Sequence, residues 1–270
     1  GKIYMRRVFV FGYLFFAAAV LSCGVQDHSH EKTLPAIKTV SPNLKSLSDL
    51  TVETLRSRSY GADIKIETRL EGPCVDPENV KSLPDASGTY KSYMASYKSD
   101  GLRVYTRINV PDGAEPEGGF PVIIFAHGWV GAEAAPSYTL GCDPASMYSE
   151  ITDAYARAGF LVFIPGYRGH ATVNGIPGDG IEYMKAWDNG TYLSTIFYSV
   201  DVLNLMAGMK SSGVLSSIHL DADVNFRTDG VNLSGHSQGG DVALTVLAAV
   251  GEGADNGLQI DKAVIWSGAI

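Results

Sequence analysis

The stretch that most constrains the fold runs from residue 231 to residue 250. A short apolar run ends in Gly-His-Ser-Gln-Gly (235–239), and a helix-like stretch follows at once. A serine in this pattern, between a buried strand and a helix, predicts a sharp turn that lifts the serine side chain off the edge of a sheet. Small residues must flank such a turn, and glycine supplies them. The pattern predicts Ser237 as a nucleophile; an ordinary Gly-rich turn is the alternative.

Acyl transfer by a serine also needs donors for the oxyanion that forms in the transition state. In a turn of this kind one donor is the N–H of the next residue, here Gln238. The second comes from a loop after an earlier strand, and His-Gly-Trp-Val-Gly (127–131) is such a loop. We expect the Trp129 N–H to be this donor, with Gly128 letting the backbone turn inward. The two motifs together are more specific than either alone.

The composition argues against several other functional classes of protein. Hydrophobic residues make up 45% of the 270 residues, which is enough for a sizeable core, and the formal net charge is −8. No block of Lys and Arg stands out, so nucleic acid is not expected as a partner. The sequence has no metal-ligand spacing and no Gly-rich nucleotide loop, so neither a metal nor a cofactor is expected.

The apolar pattern changes along the chain from alternating to continuous. Alternation predicts early strands at 64–70, 90–97 and 102–110, the last two joined as a hairpin. Continuous apolar runs then predict strands that are buried on both faces of a parallel sheet, at 121–126, 160–164 and 262–266. Helical patterns lie between them, at 146–158 and 191–210. Antiparallel strands followed by alternating strands and helices predict a doubly wound α/β sheet.

From residue 51 to residue 270 the chain resembles the catalytic domain of the α/β-hydrolase superfamily, on the prolyl oligopeptidase and acylaminoacyl-peptidase side, which borders dienelactone-hydrolase-like esterases. The segments that carry the resemblance are Ser-Asp-Gly-Leu (99–102), Gly-Phe-Pro-Val-Ile-Ile-Phe-Ala-His-Gly (119–128), Phe-Ile-Pro-Gly-Tyr-Arg-Gly-His (163–170), Asp-Val-Leu-Asn (201–204) and Gly-His-Ser-Gln-Gly-Gly (235–240).

This resemblance implies a mostly parallel sheet and a serine-type peptidase or esterase that acts on a short peptide or a small-molecule ester. It implies Ser237 as the nucleophile and the Gln238 N–H as an oxyanion donor. His127 resembles a residue that orients the oxyanion loop. Arg168 resembles a residue that braces its own loop rather than one that touches substrate. His236 precedes the nucleophile, so its side chain is expected to point away from the attacking face.

The sequence departs from the family pattern in two ways. Too few residues precede the first motif for the N-terminal propeller of oligopeptidases, which favours an esterase. The family order of serine, acid and histidine requires a histidine after Ser237, whereas all six precede it, at 28, 30, 127, 170, 219 and 236. We expect a C-terminally truncated fragment, inactive alone, whose acid and histidine lie beyond Ile270. The other interpretation is a non-catalytic binding module.

The N-terminus resembles the signal of a bacterial lipoprotein. Three basic residues precede an uncharged run at 8–21, which is too short to span a bilayer comfortably. Val-Leu-Ser-Cys-Gly (20–24) resembles a lipobox, which implies lipidation of Cys23 and export to a membrane-anchored position. We therefore divide the chain into a signal peptide (1–22), a tether with a short helix (23–60) and a hydrolase domain (61–270). An ordinary signal peptide with a chance cysteine is the alternative.

Two further features stay open. Cys74 and Cys142 both lie in loop sequence, and an oxidising compartment would allow a disulfide between them. The segments 138–147 and 171–189 are long enough to cap a site. The second could be a mobile lid or an ordinary surface excursion.

Overall fold

A seven-stranded sheet forms the centre of the computed structural model, which describes residues 47–70, 89–142, 147–188 and 194–268. All of these belong to the unit Ala36–Ile270; a second unit, Gly1–Pro35, lies outside the described residues. The sheet strands are β1 (Lys65–Arg69), β2 (Tyr90–Ser99), β3 (Leu102–Pro111), β4 (Val122–Ala126), β5 (Leu161–Pro165), β10 (Val231–His236) and β11 (Ile260–Trp266). Two short hairpins lie outside it: β6 (Thr172–Val173) with β7 (Ile176–Pro177), and β8 (Val214–Leu215) with β9 (Val224–Asn225).

Five α-helices accompany these strands in the described part of the chain. They are α1 (Val52–Ser57), α2 (Met147–Arg157), α3 (Ile181–Asp188), α4 (Ser194–Ser212) and α5 (Gln238–Val250). Short 3-10 turns occur at Leu47–Leu50 and Ala135–Ser137. Within the ranges described, no helix is long and apolar enough to cross a bilayer.

The strand order is β1-β2-β3-β5-β4-β10-β11. The pairings make β2, β4, β5, β10 and β11 run in one direction and only β1 and β3 in the other. The chain leaves β4 for β5 on one side and then returns to β10 on the other, so the order reverses between β4 and β10. This is the α/β-hydrolase arrangement, and the fold prediction is confirmed. In open α/β sheets, ligands bind at the carboxyl ends of strands at such a reversal.

Alternate side chains of the central strands fill separate cores on the two faces of the sheet. Ile124 and Phe163 belong to the core that includes residues of α4 and α5, whereas Ile123 and Val162 belong to the core that includes Ala156 of α2. Every residue of β4 and β5 is buried. Burial on both faces explains why the sequences of these two strands are continuous apolar runs.

The prediction of a buried strand at 262–266 was wrong on burial. The strand forms, but most of β11 is exposed, and the Val264 side chain is 56% exposed. Among the described strands, β11 pairs only with β10, so it is an edge strand there. An apolar run alone does not distinguish an edge from an interior position.

Two peripheral segments are packed onto the domain. Leu55 of α1 belongs to the core shared with α4 and α5, so this helix, predicted as part of the tether, packs with the described fold. In the segment predicted as either a lid or an excursion, Tyr183 and Met184 of α3 are buried. The N–H of Gly169 also donates to the carbonyl of Asp179. This packing favours the surface excursion.

Several predictions fall outside the described residues. These are the signal peptide at 1–22, the lipidated Cys23 and most of the tether. Cys142 is disulfide-bonded. Cys74, its predicted partner, lies outside the described residues as well.

Candidate active site

Ser237 stands at a strained junction between β10 and α5. Its backbone has φ of 53° and ψ of −126°, a conformation that is costly for a residue with a side chain. Close packing holds it there. A Cβ at Gly235 would lie 2.9 Å from the Cβ of Ala243, and a Cβ at Gly239 would run into the carbonyl of Ala126. The sharp turn needs both glycines because neighbouring backbone fills their side-chain space.

The backbone of Ser237 is anchored while its hydroxyl is not. The Ser237 N–H donates to the carbonyl of Trp266 at 3.2 Å, and the Ser237 carbonyl accepts from Gly240 N–H at 2.7 Å. The side chain does not cap α5, and no described residue hydrogen-bonds to its hydroxyl. Gln238 opens α5, so its N–H has no intrahelical acceptor and lies at the positive end of the helix. This is the environment that a developing oxyanion requires.

The loop after β4 lies directly beside the Ser237 turn. A Cβ at Gly128 would be 3.2 Å from the Cβ of Ser237 and 3.3 Å from the carbonyl oxygen of His236. The carboxyl ends of β4 and β10 therefore bring Gly128 and Ser237 together, at the point where the strand order reverses. The Trp129 side chain is 49% exposed on this loop.

His127 orients the peptide that carries the Trp129 N–H. Its Nδ1 lies 2.7 Å from the carbonyl oxygen of Gly128, and since a carbonyl only accepts, Nδ1 carries the hydrogen. Burial lowers the pKa of His127 to about 4, so the ring is neutral at pH 7. In a trans peptide the C=O and N–H point in opposite directions. Holding Gly128 C=O toward His127 therefore turns Trp129 N–H away from that ring.

Buried aromatic side chains pack against the ring of His127. Its ring stacks on Tyr167 at a centroid distance of 4.4 Å and contacts His170 edge-on at 5.2 Å. The Tyr167 hydroxyl donates to the His127 carbonyl at 3.1 Å. Burial also lowers the pKa of His170 well below its ordinary value. His170 is wholly buried, which places it in the scaffold of the loop rather than at its surface.

The loop that follows β5 is braced by a buried ion pair. Arg168 and Asp201 are both fully buried, with Nη2 2.6 Å from Oδ1, and the Arg168 backbone N–H also donates to Asp201 at 2.8 Å. The guanidinium lies over the rings of Tyr183 and Phe197 at 4.7 and 5.0 Å. The prediction that Arg168 braces its loop is confirmed by this pairing.

Sequence reasoning missed Tyr148, on α2. Its hydroxyl accepts from the Gly128 N–H at 3.0 Å and lies 2.8 Å from Nδ1 of His236. His236 also packs on Trp266 at a centroid distance of 4.2 Å, and burial lowers the pKa of this histidine. No motif marks Tyr148, because its partners lie 20 and 88 residues away in the chain. Only its place in a predicted helix was available from the sequence.

The described residues contain no histidine that hydrogen-bonds to the Ser237 hydroxyl. His127 is committed to Gly128, and Nδ1 of His236 to Tyr148. No group of three or more His, Cys, Asp or Glu in the described ranges is placed to hold a metal ion. The described residues thus place the uncommitted Ser237 hydroxyl beside the start of α5 and the Gly128 loop, with no histidine bonded to it.

No protein-family model and no curated protein matches this chain. Among solved structures, it is similar to acetyl xylan esterase 1 from Thermoanaerobacterium sp. JW/SL YS485, at 17% identity over 78% of this chain and 56% of that one, with a TM-score of 0.42. It is also similar to brefeldin A esterase, a bacterial homologue of human hormone-sensitive lipase, at 19% identity over 67% and 41%, with a TM-score of 0.40.

An acetyl xylan esterase from Paenibacillus sp. R4 is similar at 16% identity over 76% of this chain and 57% of that one, with a TM-score of 0.40. The chain therefore spans about half the length of these structures. With TM-scores this low the likeness carries no argument about activity, and the fold assignment rests on the strand order and the turn at Ser237.

Proposed function

We propose that this chain is the nucleophile-bearing part of a serine hydrolase that cleaves an ester or amide bond by acyl transfer. The observation that carries the proposal is the strained Ser237 at the strand-to-helix junction, with its hydroxyl uncommitted and Gly128 beside it. A strained backbone conformation is costly to maintain, and residues that adopt one cluster at active sites.

In the proposed reaction Ser237 Oγ bonds to the carbonyl carbon of the substrate while a base takes the hydroxyl proton. The tetrahedral adduct then collapses, and the alcohol or amine leaves with that proton. Water attacks the acyl-enzyme in the same way, which releases the acid and restores Ser237. The Gln238 and Trp129 N–H groups hold the oxyanion, and loss of one such donor typically costs about 10²–10³ in rate.

The base in this proposal is a histidine, oriented by an acid, from sequence beyond Ile270. Two features support it. The family order that this chain resembles places both residues after the nucleophile. The histidines nearest to Ser237 are engaged elsewhere, His127 with Gly128 and His236 with Tyr148.

The finer assignment is a prolyl-oligopeptidase-like peptidase or a carboxylesterase carried by an exported lipoprotein, anchored to the membrane through Cys23. The motifs that resemble the oligopeptidases support the peptidase, and the resemblance to dienelactone-hydrolase-like esterases supports the esterase. Paired substrates separate them: a p-nitrophenyl ester and an aminoacyl anilide with the same acyl group. Faster turnover of the anilide supports the peptidase, and turnover of the ester alone supports the esterase.

Replacement of the nucleophile tests the proposal. In the full-length gene product we expect Ser237→Ala to lose at least about 10⁴-fold in kcat, in line with the loss of other serine nucleophiles. Labelling by a fluorophosphonate should disappear with it. Ser216→Ala, which changes an exposed serine, is the matched control and should keep wild-type rates. Wild-type protein that is neither labelled nor active would favour the non-catalytic binding module.

A further inference from the structure

A positively charged side chain, Arg107 of β3, is buried in the interior of the domain. It shares a face of β3 with Tyr105, which belongs to the core that includes Ala156 of α2. Arg107 is fully buried. Burial lowers the pKa of Arg107 to about 10, so the guanidinium is still charged at pH 7. A buried charge is costly unless an opposite charge and hydrogen bonds compensate it.

This compensation is incomplete in the described part of the chain. Nη2 of Arg107 donates to the Ser92 hydroxyl at 2.9 Å, whereas Nε and Nη1 have no hydrogen-bond partner there. The guanidinium also interacts with the Tyr90 hydroxyl, which is neutral at pH 7 because burial raises its pKa to about 12. The charge of Asp153 favours that of Arg107, but the Asp153 carboxylate already accepts from Arg157 and from Tyr90. No acid in the described ranges forms an ion pair with Arg107.

The Asn109 side chain adds a second unpartnered donor on the same face of β3. Its Oδ1 accepts from the Ser92 hydroxyl at 2.9 Å, while its Nδ2 has no partner among the described residues. One hydroxyl therefore joins the two side chains, since Ser92 Oγ accepts from Arg107 and donates to Asn109. Every polar atom left over on Arg107 and Asn109 is a donor, so the missing group is an acceptor. Water can accept these bonds, but only an anion also offsets the charge.

Residues beside this cluster line two open cavities. Ser92 lines one of about 290 Å³, and Met94, which lies opposite Arg107 in the β2–β3 pairing, lines another of about 390 Å³. A small ion therefore has a short route in from solvent. Ser92 lies near the start of β2, which runs in the same direction as β10, whereas Ser237 follows the end of β10. The cluster thus lies toward the edge of the sheet opposite to the candidate active site.

We propose that Arg107 and Asn109 form a buried binding site for a small inorganic anion of the size of chloride. The ion accepts hydrogen bonds from the guanidinium and from the Asn109 amide, and its charge compensates that of Arg107. Full burial of both side chains favours a small ion over one of substrate size. This inference does not depend on the proposed function, because none of its measurements uses Ser237.

Crystals of the full-length gene product grown in sodium bromide test the site directly. Bromide replaces chloride in such sites and scatters anomalously at its absorption edge. We expect an anomalous peak in contact with the side-chain nitrogen atoms of Arg107 and Asn109. Density without an anomalous signal at that place would mean that water fills it, and would overturn the proposal. Side chains that pack together with no density between them would overturn it as well.

Thermal unfolding measures the same site in solution. An ion that binds only the folded state at ten times its Kd should raise Tm by about 3 °C or more. Sodium chloride is therefore compared with sodium gluconate, whose anion is too large, at equal ionic strength. Arg107→Met should lose this shift. Arg103→Met, which changes a partly exposed arginine of the same strand, is the matched control and should keep it. No shift in the wild-type protein, or an equal shift in Arg107→Met, would contradict the site.

Asn109→Asp provides a second route if Arg107→Met does not fold, because it supplies the anion from the chain itself. Ser92 can still donate to one carboxylate oxygen, and the other takes the place of the ion beside Arg107. We expect this variant to lose both the bromide peak and the dependence of Tm on chloride. Its Tm in gluconate should be at least that of the wild-type protein. A chloride dependence that persists in Asn109→Asp would place the ion elsewhere and overturn the proposal.

Discussion

Two turns at the carboxyl edge of the sheet carry the same kind of backbone strain and use it differently. Ser237, after β10, has φ of 53°, and Tyr167, after β5, has φ of 59°. The Ser237 turn is held by glycines packed under backbone and leaves its side chain half-buried and unbonded. The Tyr167 turn is sealed, in the sense that the Tyr167 side chain is fully buried. Its ring stacks on His127 and on Tyr198. Strain alone therefore does not indicate a reactive residue, whereas strain combined with an accessible, uncommitted side chain does.

The sealed turn should be the more sensitive of the two to loss of its support. Asp201→Asn leaves Arg168 as an uncompensated buried charge, and we expect a loss of about 3–5 kcal/mol in the free energy of unfolding. Chemical denaturation of the full-length protein measures it. Lys98→Gln, which breaks an exposed pair with Asp179, should cost less than about 1 kcal/mol. Similar losses in the two variants would contradict the bracing role.

Acid should destabilise the protein through the buried His127, which stacks on Tyr167. The unfolded chain binds a proton at His127 near pH 6.5, whereas burial lowers the folded-state pKa to about 4. The unfolded state therefore binds more protons between these values, and stability falls as the pH drops from about 6.5 to about 4. The His127 contribution to this loss is about 3 kcal/mol at most.

Denaturation curves at pH 7.5 and pH 4.5 measure this effect, with His127→Gln as the comparison. The variant should be less stable at pH 7.5 but should lose less on acidification. An unchanged dependence on pH in His127→Gln would show that other groups control it.

Replacement of the strained residue by glycine should have effects of opposite sign in the two turns. Ser237→Gly relieves a strained φ and removes a side chain that makes no hydrogen bond, so we expect it to stabilise the protein by about 1 kcal/mol while abolishing activity. Tyr167→Gly relieves a similar φ but removes two ring stacks and a hydrogen bond, so it should destabilise. Thermal unfolding of both variants provides the measurement, and stabilisation by both would remove the distinction between the turns.

Local patterns predicted much of this fold. The strands β2 to β5, the helices α2, α4 and α5, and the turn at Ser237 each depend on residues close together in the chain. Burial of β11 could not be read in this way, because it depends on which neighbours pair with the strand. The short hairpins β6–β7 and β8–β9 were missed, since two-residue strands carry no periodicity.

The candidate site also contains residues that local sequence predicts and residues that it does not. Ser237, Gln238, Gly128 and Trp129 lie in short motifs that the sequence displays, and their catalytic roles remain predictions. Tyr148 lies in no such motif. Its hydrogen bonds to Gly128 and His236 form only after α2 has packed beside both loops. A tyrosine in a helix carries no mark of such a bond. The family resemblance implied only that Arg168 braces its own loop, and its pairing with Asp201, 33 residues away, was not predicted.

The missing side chain of Gly239 has a consequence for the kinetics of inhibition. Because the carbonyls of Ala126 and His127 fill that space, the first turn of α5 packs directly against the end of β4. Ser237 and the loop that faces it are then preassembled, and we expect no slow loop closure before bond formation. Inactivation by a phosphonate should accordingly follow a single exponential without a lag, at a rate proportional to inhibitor concentration until the site saturates.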